Sequence, residues 1–307
     1  MPCRVVQDLS ALPPHAALAV GAFDGLHLGH QALLHAMLAF AAQTRRPACI
    51  LTFGRLPLSL LAPDRAPRRL CDDTRLLELL AAAAPAHQPL LIIHQPFTPA
   101  FAALPPETFA RRLGDATLFC GEDWRFGAHA SGTPALLRTL GHPLHIIPYA
   151  THAAERISST RIRAALAQGA LSEAAAMLGR PWDFTGRVVH GRHLAGTTLG
   201  TPTLNLPYLG RDGEALSPLA PGVYRARAFL PAQPNQAWPA LVNFGTAPTL
   251  KATPEPLLEA HLLGASGDFY GQTVRLEFST DRLRPERRFP SLEALRDQIR
   301  RDLQALS

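Results

Sequence analysis

The sequence predicts two domains of different class: a doubly wound α/β domain on a parallel sheet, then a small all-β domain that ends in a helix. The first 150 residues alternate short apolar runs with stretches of helical periodicity, which is typical of a parallel sheet covered by helices. From residue 184 onward, short β-rich runs are separated by Gly, Pro and Asn turns, which is typical of a small barrel or sandwich. A length of 307 residues is enough for two cores.

In the first domain, strands are predicted at residues 17–20, 48–53, 90–94, 116–121 and 145–148, and helices at 29–43, 73–84, 106–113 and 132–140. Ligands of such sheets bind beyond the carboxyl ends of the strands, where the strand order reverses. We expect the turn at residues 21–25 to lie at such a point. Two further helices, at 159–168 and 172–178, are followed by a Gly-Arg-Pro break, which places the domain boundary after residue 180.

In the second domain, strands are predicted at residues 185–190, 223–230, 240–244, 257–263 and 273–278. The chain then ends in an amphipathic helix that begins at Leu292, with leucines and an isoleucine at helical spacing and Ser291 as a suitable N-cap.

Composition narrows the classes of function. The chain is 47% hydrophobic and 18% charged, as in ordinary globular proteins, and its net charge of +6 favours polyanionic partners such as ATP or nucleic acid. The basic residues are dispersed and form no run of five, so we expect no nucleic-acid partner.

The cysteines and the N-terminal residues bear on the compartment. The four cysteines show no CxxC spacing, which favours reduced thiols over a disulfide framework. Neither a signal-peptide pattern nor an apolar run of about 18 residues is present. We therefore expect a cytoplasmic protein with no membrane partner.

The segment from Gly21 to His30 is the strongest functional signal. An apolar strand ends in a glycine-bounded turn and a helix follows, and the first N–H groups of a helix attract phosphate. His27 and His30 are three residues apart and share one helix face, and Gly29 lets a ligand approach the backbone. The alternatives are a pair of helix-start histidines with satisfied hydrogen bonds, or metal ligation, for which no third ligand stands at a fixed spacing.

One later segment carries related chemistry. Ser158, Ser159 and Thr160 stand just before a helix-forming run, and Arg163 follows one turn later, so that hydroxyl, N–H and guanidinium groups can bind phosphate oxygens. The alternative is an ordinary helix cap followed by surface arginines. Further on, no GxxxxGK[ST] occurs in the sequence, so any kinase here is not a P-loop enzyme.

These segments, in this order, resemble the bifunctional riboflavin kinase/FAD synthetases of bacteria. Residues 27–30 match the HxGH signature of nucleotidyltransferases, residues 157–163 match ISSTxxR, and residues 202–205 resemble the PTxN motif of riboflavin kinases. The resemblance implies a Rossmann-like FMN adenylyltransferase domain at residues 1–180 and a riboflavin kinase β-barrel domain at 181–307. It implies that ATP phosphorylates riboflavin to FMN and that a second ATP converts FMN to FAD.

The resemblance also implies roles in the first domain. His27 and His30 donate hydrogen bonds to phosphoryl oxygens, for which imidazole is suited because either ring nitrogen can donate and the ring can carry charge near neutral pH. The remaining nucleotide-binding residues are Phe23, Asp24, Gly25, Ser158, Ser159, Thr160 and Arg163. Within the stretch 121–127, similar to the family's GxDFRFG, Asp123 lines the flavin or nucleotide site, or alternatively caps Arg125.

In the second domain, the resemblance makes Thr203 a ligand of Mg²⁺ and gives Asn205 a supporting role. Glu259, in a segment similar to the family's LExH, becomes the general base for the riboflavin hydroxyl. Its alternative is an exposed strand glutamate, and Glu286 is a rival carboxylate. The implied partners are ATP, riboflavin and FMN, and we expect a monomer or a weak homo-oligomer.

The sequence departs from the family pattern at three places: residues 54–57 replace a PHP-type motif, Thr197 replaces a loop arginine, and Ala247 replaces another arginine. Arg192 and Arg211 are the candidate substitutes for the loop arginine. These departures give a second hypothesis, in which one domain has lost its activity and only binds flavin or nucleotide. A third hypothesis, based on net charge alone, is a basic nucleic-acid-binding protein.

Overall fold

The computed structural model describes residues 3–190, 203–230, 233–245, 257–278, 280–287 and 289–304. The chain forms two compact units: the first comprises Met1–Arg69 and Asp73–Ser159, and the second comprises Leu70–Asp72 and Thr160–Ser307. Residues 160–180 therefore lie in the second unit. The boundary after residue 180 stays a prediction for the two functional domains.

The first unit contains a parallel sheet. Its strands are β1 (Cys3–Val6), β2 (Ala17–Val20), β3 (Ala48–Phe53), β4 (Leu90–Gln95), β5 (Thr117–Gly121) and β6 (Leu144–Ile147). They are ordered β1-β4-β3-β2-β5-β6, and every neighbouring pair is parallel. The chain runs outward from β2 to β4 and then returns to β5 on the other side of β2. The strand order therefore reverses between β2 and β5, which confirms the doubly wound fold and places the turn after β2 at the expected edge.

The helices of this unit are α1 (Leu28–Thr44), α2 (Pro57–Leu61), α3 (Asp73–Ala83), α4 (Pro99–Ala102), α5 (Pro106–Arg112) and α6 (Pro134–Thr139), with 3-10 helices at Leu9–Ala11, Pro63–Arg65 and Ala128–Ala130. Every residue of β2 is buried, as expected for a central parallel strand. Helix α1 buries a stripe at helical spacing, from Leu33 to Ala41. It ends where Arg45 adopts a left-handed φ of 56° and donates its N–H to the last carbonyls.

The sequence does not predict β1 or the hairpin formed by β7 (Thr151–His152) and β8 (Glu155–Arg156). Strand β1 lies at the sheet edge next to β4 and is only partly buried, so it lacks a buried apolar run. The hairpin turns through Ala153 and Ala154, both at positive φ. Gly or Asn is typical of such a turn, and two alanines therefore give no turn signal.

The second unit contains an antiparallel sheet. Its strands are β9 (Trp182–Arg187), β10 (Thr203–Pro207), β11 (Gly222–Leu230), β12 (Gln233–Gly245), β13 (Leu257–Leu262), β14 (Thr273–Phe278) and β15 (Arg284–Pro285). The order is β10-β13-β12-β11-β14-β9, with β15 paired to β11. An isolated bridge between Val189 and Asn205 joins the two ends of this order. The edges of the sheet therefore meet, in agreement with the barrel.

Helices α7 (Ser159–Gln168), α8 (Leu171–Leu178) and α9 (Leu292–Gln304) complete the described structure. Ser291 Oγ accepts the backbone N–H of Ala294, which confirms the predicted N-cap of α9. In the ranges that the structure describes, no helix is both long and apolar enough to cross a bilayer.

Side chains alternate between the two faces of the barrel strands. In β10, Leu204 and Leu206 are buried, whereas Thr203 and Asn205 point to the other face and are partly buried. In β13, Leu258 is fully buried, and Glu259 points to the face that Asn205 shares. The interior of the barrel is therefore apolar, and a polar row lies on its outer face.

Candidate active sites

The loop that follows β2 forms the first candidate site. Phe23, Gly25 and Leu26 adopt left-handed backbone conformations, with φ of 51°, 74° and 42°. Phe23 and Leu26 are strained in this conformation because they carry a Cβ atom, but their side chains are only 1% and 4% exposed. Burial of these side chains stabilises the strained loop and thereby fixes the backbone at the start of α1.

His27 and His30 meet at the N-terminus of α1. His27 is the N-cap residue, and its Nδ1 accepts the backbone N–H of His30 at 3.3 Å. A neutral imidazole that accepts through Nδ1 carries its proton on Nε2, so His27 retains a donor for a ligand. The two rings stack with their centroids 3.6 Å apart. A Cβ atom at Gly29 would approach the His27 ring to 3.2 Å, so the glycine leaves room for this arrangement.

Burial keeps both imidazoles neutral. Desolvation, and then the positive charge of Arg156, lower the pKa of His27 to about 4. Desolvation, and then the charges of His27 and Arg156, lower the pKa of His30 well below its usual range. Both rings are therefore neutral at pH 7, in contrast to the expectation that they can carry charge near neutral pH. His30 Nδ1 is buried and has no hydrogen-bond partner among the described residues.

The second motif contacts the first through Ser159. The Ser159 hydroxyl donates to the backbone carbonyl of Asp24 at 3.0 Å, across 135 positions of sequence. Asp24 itself is only 4% exposed. The structure therefore brings Asp24 and Ser159 together. The Ser159 hydroxyl donates its proton to a backbone carbonyl of the protein, whereas the sequence predicts that it donates to a phosphate. Thr160 and Arg163 follow on α7.

Asp123 binds a residue that the sequence analysis does not single out. Its carboxylate accepts a hydrogen bond from Arg156 at 2.7 Å, whereas the Arg125 guanidinium donates to the Trp124 carbonyl. The Arg156 guanidinium also lies over the Tyr149 ring, 3.5 Å from its centroid. Asp123 and Tyr149 thus hold a cation whose charge acts on His27 and His30. The available sequence signal is the position of Arg156, directly before residues 157–163.

Beside Gly54, where the family's PHP motif is replaced, three buried or partly buried side chains form a cluster. Arg69 donates to the Gly54 carbonyl at 3.3 Å and to Asp73 at 2.9 Å, and His94 Nε2 lies 2.9 Å from the other Asp73 oxygen. Desolvation raises the pKa of Asp73, but contact with His94 and the charge of Arg69 outweigh it and lower that pKa overall. The replaced segment is therefore anchored by an ion-pair cluster.

The second candidate site lies on the outer face of the barrel. Asn205 of β10 and Asn243 of β12 are the register partners of Glu259 on the two sides of β13. Thr203 is the register partner of His261, and its Oγ1 lies 3.0 Å from His261 Nδ1. Strand pairing thus brings together the predicted residues Thr203, Asn205 and Glu259.

Burial makes the Glu259 carboxylate more basic than an exposed one. Desolvation raises its pKa and the nearby charge of Glu286 adds to that, while a hydrogen bond from Asn243 opposes it. The Asn243 amide also orients the carboxylate, a role that the sequence analysis misses. Glu286, the predicted rival, has its carboxylate packed against the backbone of Gly245. The structure therefore places both carboxylates near one another and only Glu259 in register with Asn205.

The donor set of this face suits Mg²⁺. A threonine hydroxyl and an amide carbonyl are hard oxygen ligands, and Mg²⁺ completes its shell with water and substrate phosphates. Within the part of the chain that the structure describes, no group of three or more His, Cys, Asp and Glu side chains could hold a metal by itself. Thr203 and Asn205 would leave most of the coordination shell of such a metal to water and phosphate oxygens.

Of the departures in the second domain, Thr197 and Ala247 lie outside the described residues, as does Arg192, a predicted substitute for the loop arginine. The other predicted substitute, Arg211, is bound to the buried carboxylate of Asp72 through Nε at 3.0 Å and Nη2 at 3.1 Å. Arg211 is thus occupied by a structural ion pair.

Comparison with known proteins gives a consistent result for both units. A family model described as FAD synthetase matches residues 10–161, and one described as riboflavin kinase matches residues 178–307. A crystal structure described as a macrolide-efflux protein from Streptococcus pneumoniae has a TM-score of 0.81 and 27% identity, and covers 100% of this chain and 99% of that chain.

Several curated relatives carry the name bifunctional riboflavin kinase/FMN adenylyltransferase. The protein of Escherichia coli K12 is 36% identical over 97% of this chain and 94% of its own length. The proteins of Pseudomonas fluorescens and Haemophilus influenzae are 33% identical, over 98% and 94% of this chain and 96% and 92% of their own lengths. Neither the single-activity hypothesis nor the nucleic-acid hypothesis gains support. Both domains are present, and the chain belongs to the family of bifunctional riboflavin kinase/FMN adenylyltransferases.

Proposed function

We propose that riboflavin is phosphorylated at Glu259, Thr203 and Asn205 and that FMN is adenylylated at His27 and His30. The observation that supports this division is that the two sets of residues lie in different compact units. The two histidines lie at the start of a helix that His27 caps. The residues of the other set lie on paired strands of the barrel.

Adenylyl transfer at the first site needs little acid–base chemistry. The FMN phosphate is ionised at neutral pH and attacks the α-phosphorus of ATP as pyrophosphate leaves, so the protein acts by positioning and by neutralising charge. His27 donates from Nε2, and His30 lies against it. Arg156 adds a full positive charge. Phe23, Asp24 and Gly25 shape the loop around the nucleotide, and the neighbouring flavin is bounded by Asp123.

The residues of the second motif, 157–163, bind the part of ATP that leaves as pyrophosphate. Ser158 and Thr160 donate hydroxyl protons to the β- and γ-phosphates of ATP, and Arg163 stabilises the pyrophosphate. Ser159 acts differently: because its proton is donated to Asp24, it holds the loop after β2 in place.

Phosphoryl transfer at the second site requires a base. The Glu259 carboxylate accepts the proton of the riboflavin primary hydroxyl as the oxygen attacks the γ-phosphorus of ATP, and the bond from that phosphorus to the bridging oxygen breaks to release ADP. Asn243 orients that carboxylate. Thr203 and Asn205 hold Mg²⁺, which when bound neutralises charge on the ATP phosphates.

We also propose that the protein is a monomer or a weak homo-oligomer in the cytoplasm, with Mg²⁺ as its metal and no nucleic-acid partner. The cysteines Cys3, Cys49, Cys71 and Cys120 form no disulfide with one another, which supports a reducing compartment.

The division of labour predicts separable losses. His30→Ala should lower FAD formation from FMN and ATP by about 10²-fold or more and leave FMN formation from riboflavin intact. Glu259→Gln should lower FMN formation by about 10²- to 10⁴-fold and leave FAD formation from supplied FMN intact. Chromatographic separation of the flavin products measures both. The exposed residues His35 on α1 and Glu293 on α9 supply the controls His35→Ala and Glu293→Gln. Crossed losses would refute the division.

The pKa of His27 predicts acid sensitivity of the fold. This pKa is about 4 instead of 6.5, so between these values the folded state binds fewer protons than the unfolded chain. The stability present above pH 6.5 is lost as the pH falls towards 4, by up to about 1.4 kcal/mol per pH unit for one proton. Replacement by asparagine, an uncharged N-cap, should reduce this slope in thermal unfolding followed by circular dichroism, whereas His35→Asn should not. An unchanged slope in His27→Asn would contradict the neutral imidazole.

Arg156 is predicted to serve adenylyl transfer alone. Arg156→Gln should lower kcat/KM for FMN adenylylation by about 10²-fold, because a charge near the phosphates is lost. Arg156→Lys should lie between, since lysine keeps the charge but loses the planar contact with Tyr149. The exposed helix residue Arg111 provides the control Arg111→Gln. Equal rates in all four proteins would remove Arg156 from the site.

A further inference from the structure

His261 has no part in the mechanism above, yet it lies beside a proposed metal ligand. It is the register partner of Thr203, and its Nδ1 lies 3.0 Å from the Thr203 Oγ1. It stands two residues after Glu259 on the same strand and therefore shares the outer face of the barrel. His261 is buried, with only 4% of the residue exposed.

The ring of His261 has one polar strand neighbour and one apolar one. On the side of β10 its partner is Thr203, and on the side of β12 its partner is Leu241, which is 2% exposed. A leucine side chain offers no hydrogen bond, so the contact with Thr203 is the polar contact that strand pairing gives this imidazole.

The direction of the hydroxyl proton decides whether Thr203 can bind a cation. A threonine hydroxyl has one proton and two lone pairs, and it rotates about its C–O bond. If Nδ1 accepts the proton, the lone pairs of the oxygen remain available for a metal. If Nδ1 instead donates, one lone pair is used and the hydroxyl proton has no fixed direction.

We propose that His261 is a positioning residue of the kinase site: its Nδ1 accepts the Thr203 proton and thereby directs the lone pairs of the Thr203 oxygen to Mg²⁺. This inference rests on the metal role proposed for Thr203. Residues that orient metal ligands in this way typically change metal affinity or activity by about 10- to 100-fold when they are replaced.

The tautomer of the His261 imidazole tests the proposal and can be measured without catalysis. Long-range ¹H–¹⁵N correlation spectra of the full chain, labelled on histidine nitrogens, assign the proton to Nδ1 or Nε2, and the His261→Asn variant identifies the His261 signal. We expect the proton on Nε2. A proton on Nδ1 would overturn the proposal.

The Mg²⁺ dependence of FMN formation gives the second test. The free Mg²⁺ concentration at half-maximal rate should rise by about tenfold or more in His261→Leu, while the KM for riboflavin stays near that of the parent chain. His261→Asn should restore the parent value, because the amide oxygen of asparagine replaces the Nδ1 acceptor. The far-ultraviolet circular dichroism spectrum and cooperative thermal unfolding report that the barrel of each variant is folded.

A double-mutant cycle separates this proposal from the one on which it rests. Thr203→Val removes the hydroxyl, and adding His261→Leu to it should raise the Mg²⁺ requirement no further. Full additivity of the two changes would show that His261 acts independently of Thr203 and would overturn the positioning role. An effect of Thr203→Val without any effect of His261→Leu would overturn it too, with the metal role of Thr203 intact. No effect of Thr203→Val would remove that metal role and the inference with it.

Discussion

The hydrogen bond from the His30 backbone to His27 Nδ1 is the constraint on which the first site depends. It begins α1 at the residue after the cap, so the first helical N–H groups lie where β2 ends and the strand order reverses. It also fixes the tautomer, because the nitrogen that caps the helix cannot carry the proton. One interaction therefore sets both the start of the helix and the ring nitrogen of His27 that carries the proton.

The second site depends on strand register instead of a helix cap. Three neighbouring strands place Asn205, Glu259 and Asn243 in one row, and the pleat sends their side chains to the outer face while the intervening leucines fill the barrel. A shift of one residue in β13 would send Glu259 into the apolar interior. The packing of the barrel and the placement of the proposed base, Glu259, thus follow from one pattern of alternation.

The sequence predicts most of the sheet and helix order because the buried strands and long helices have clear periodicity. It misses Arg156, because the hairpin that carries it turns through Ala153 and Ala154 without a turn signal. It misses Asn243 and His261 as site residues, since their roles arise from pairing between strands that are distant in sequence. Contacts that depend on the register between distant strands produce no local pattern in the sequence.

Burial acts on the two sites in opposite senses, and both senses suit the chemistry. Desolvation disfavours the charged form of any group, so it lowers the pKa of His27 and raises that of Glu259. A neutral imidazole donates one proton from a known nitrogen and repels no cation near the phosphates. A carboxylate of raised pKa is a stronger proton acceptor for a hydroxyl. The Asn243 amide stabilises the ionised carboxylate and therefore opposes this shift. Burial and the hydrogen bond thus act in opposite directions on the pKa of the proposed base.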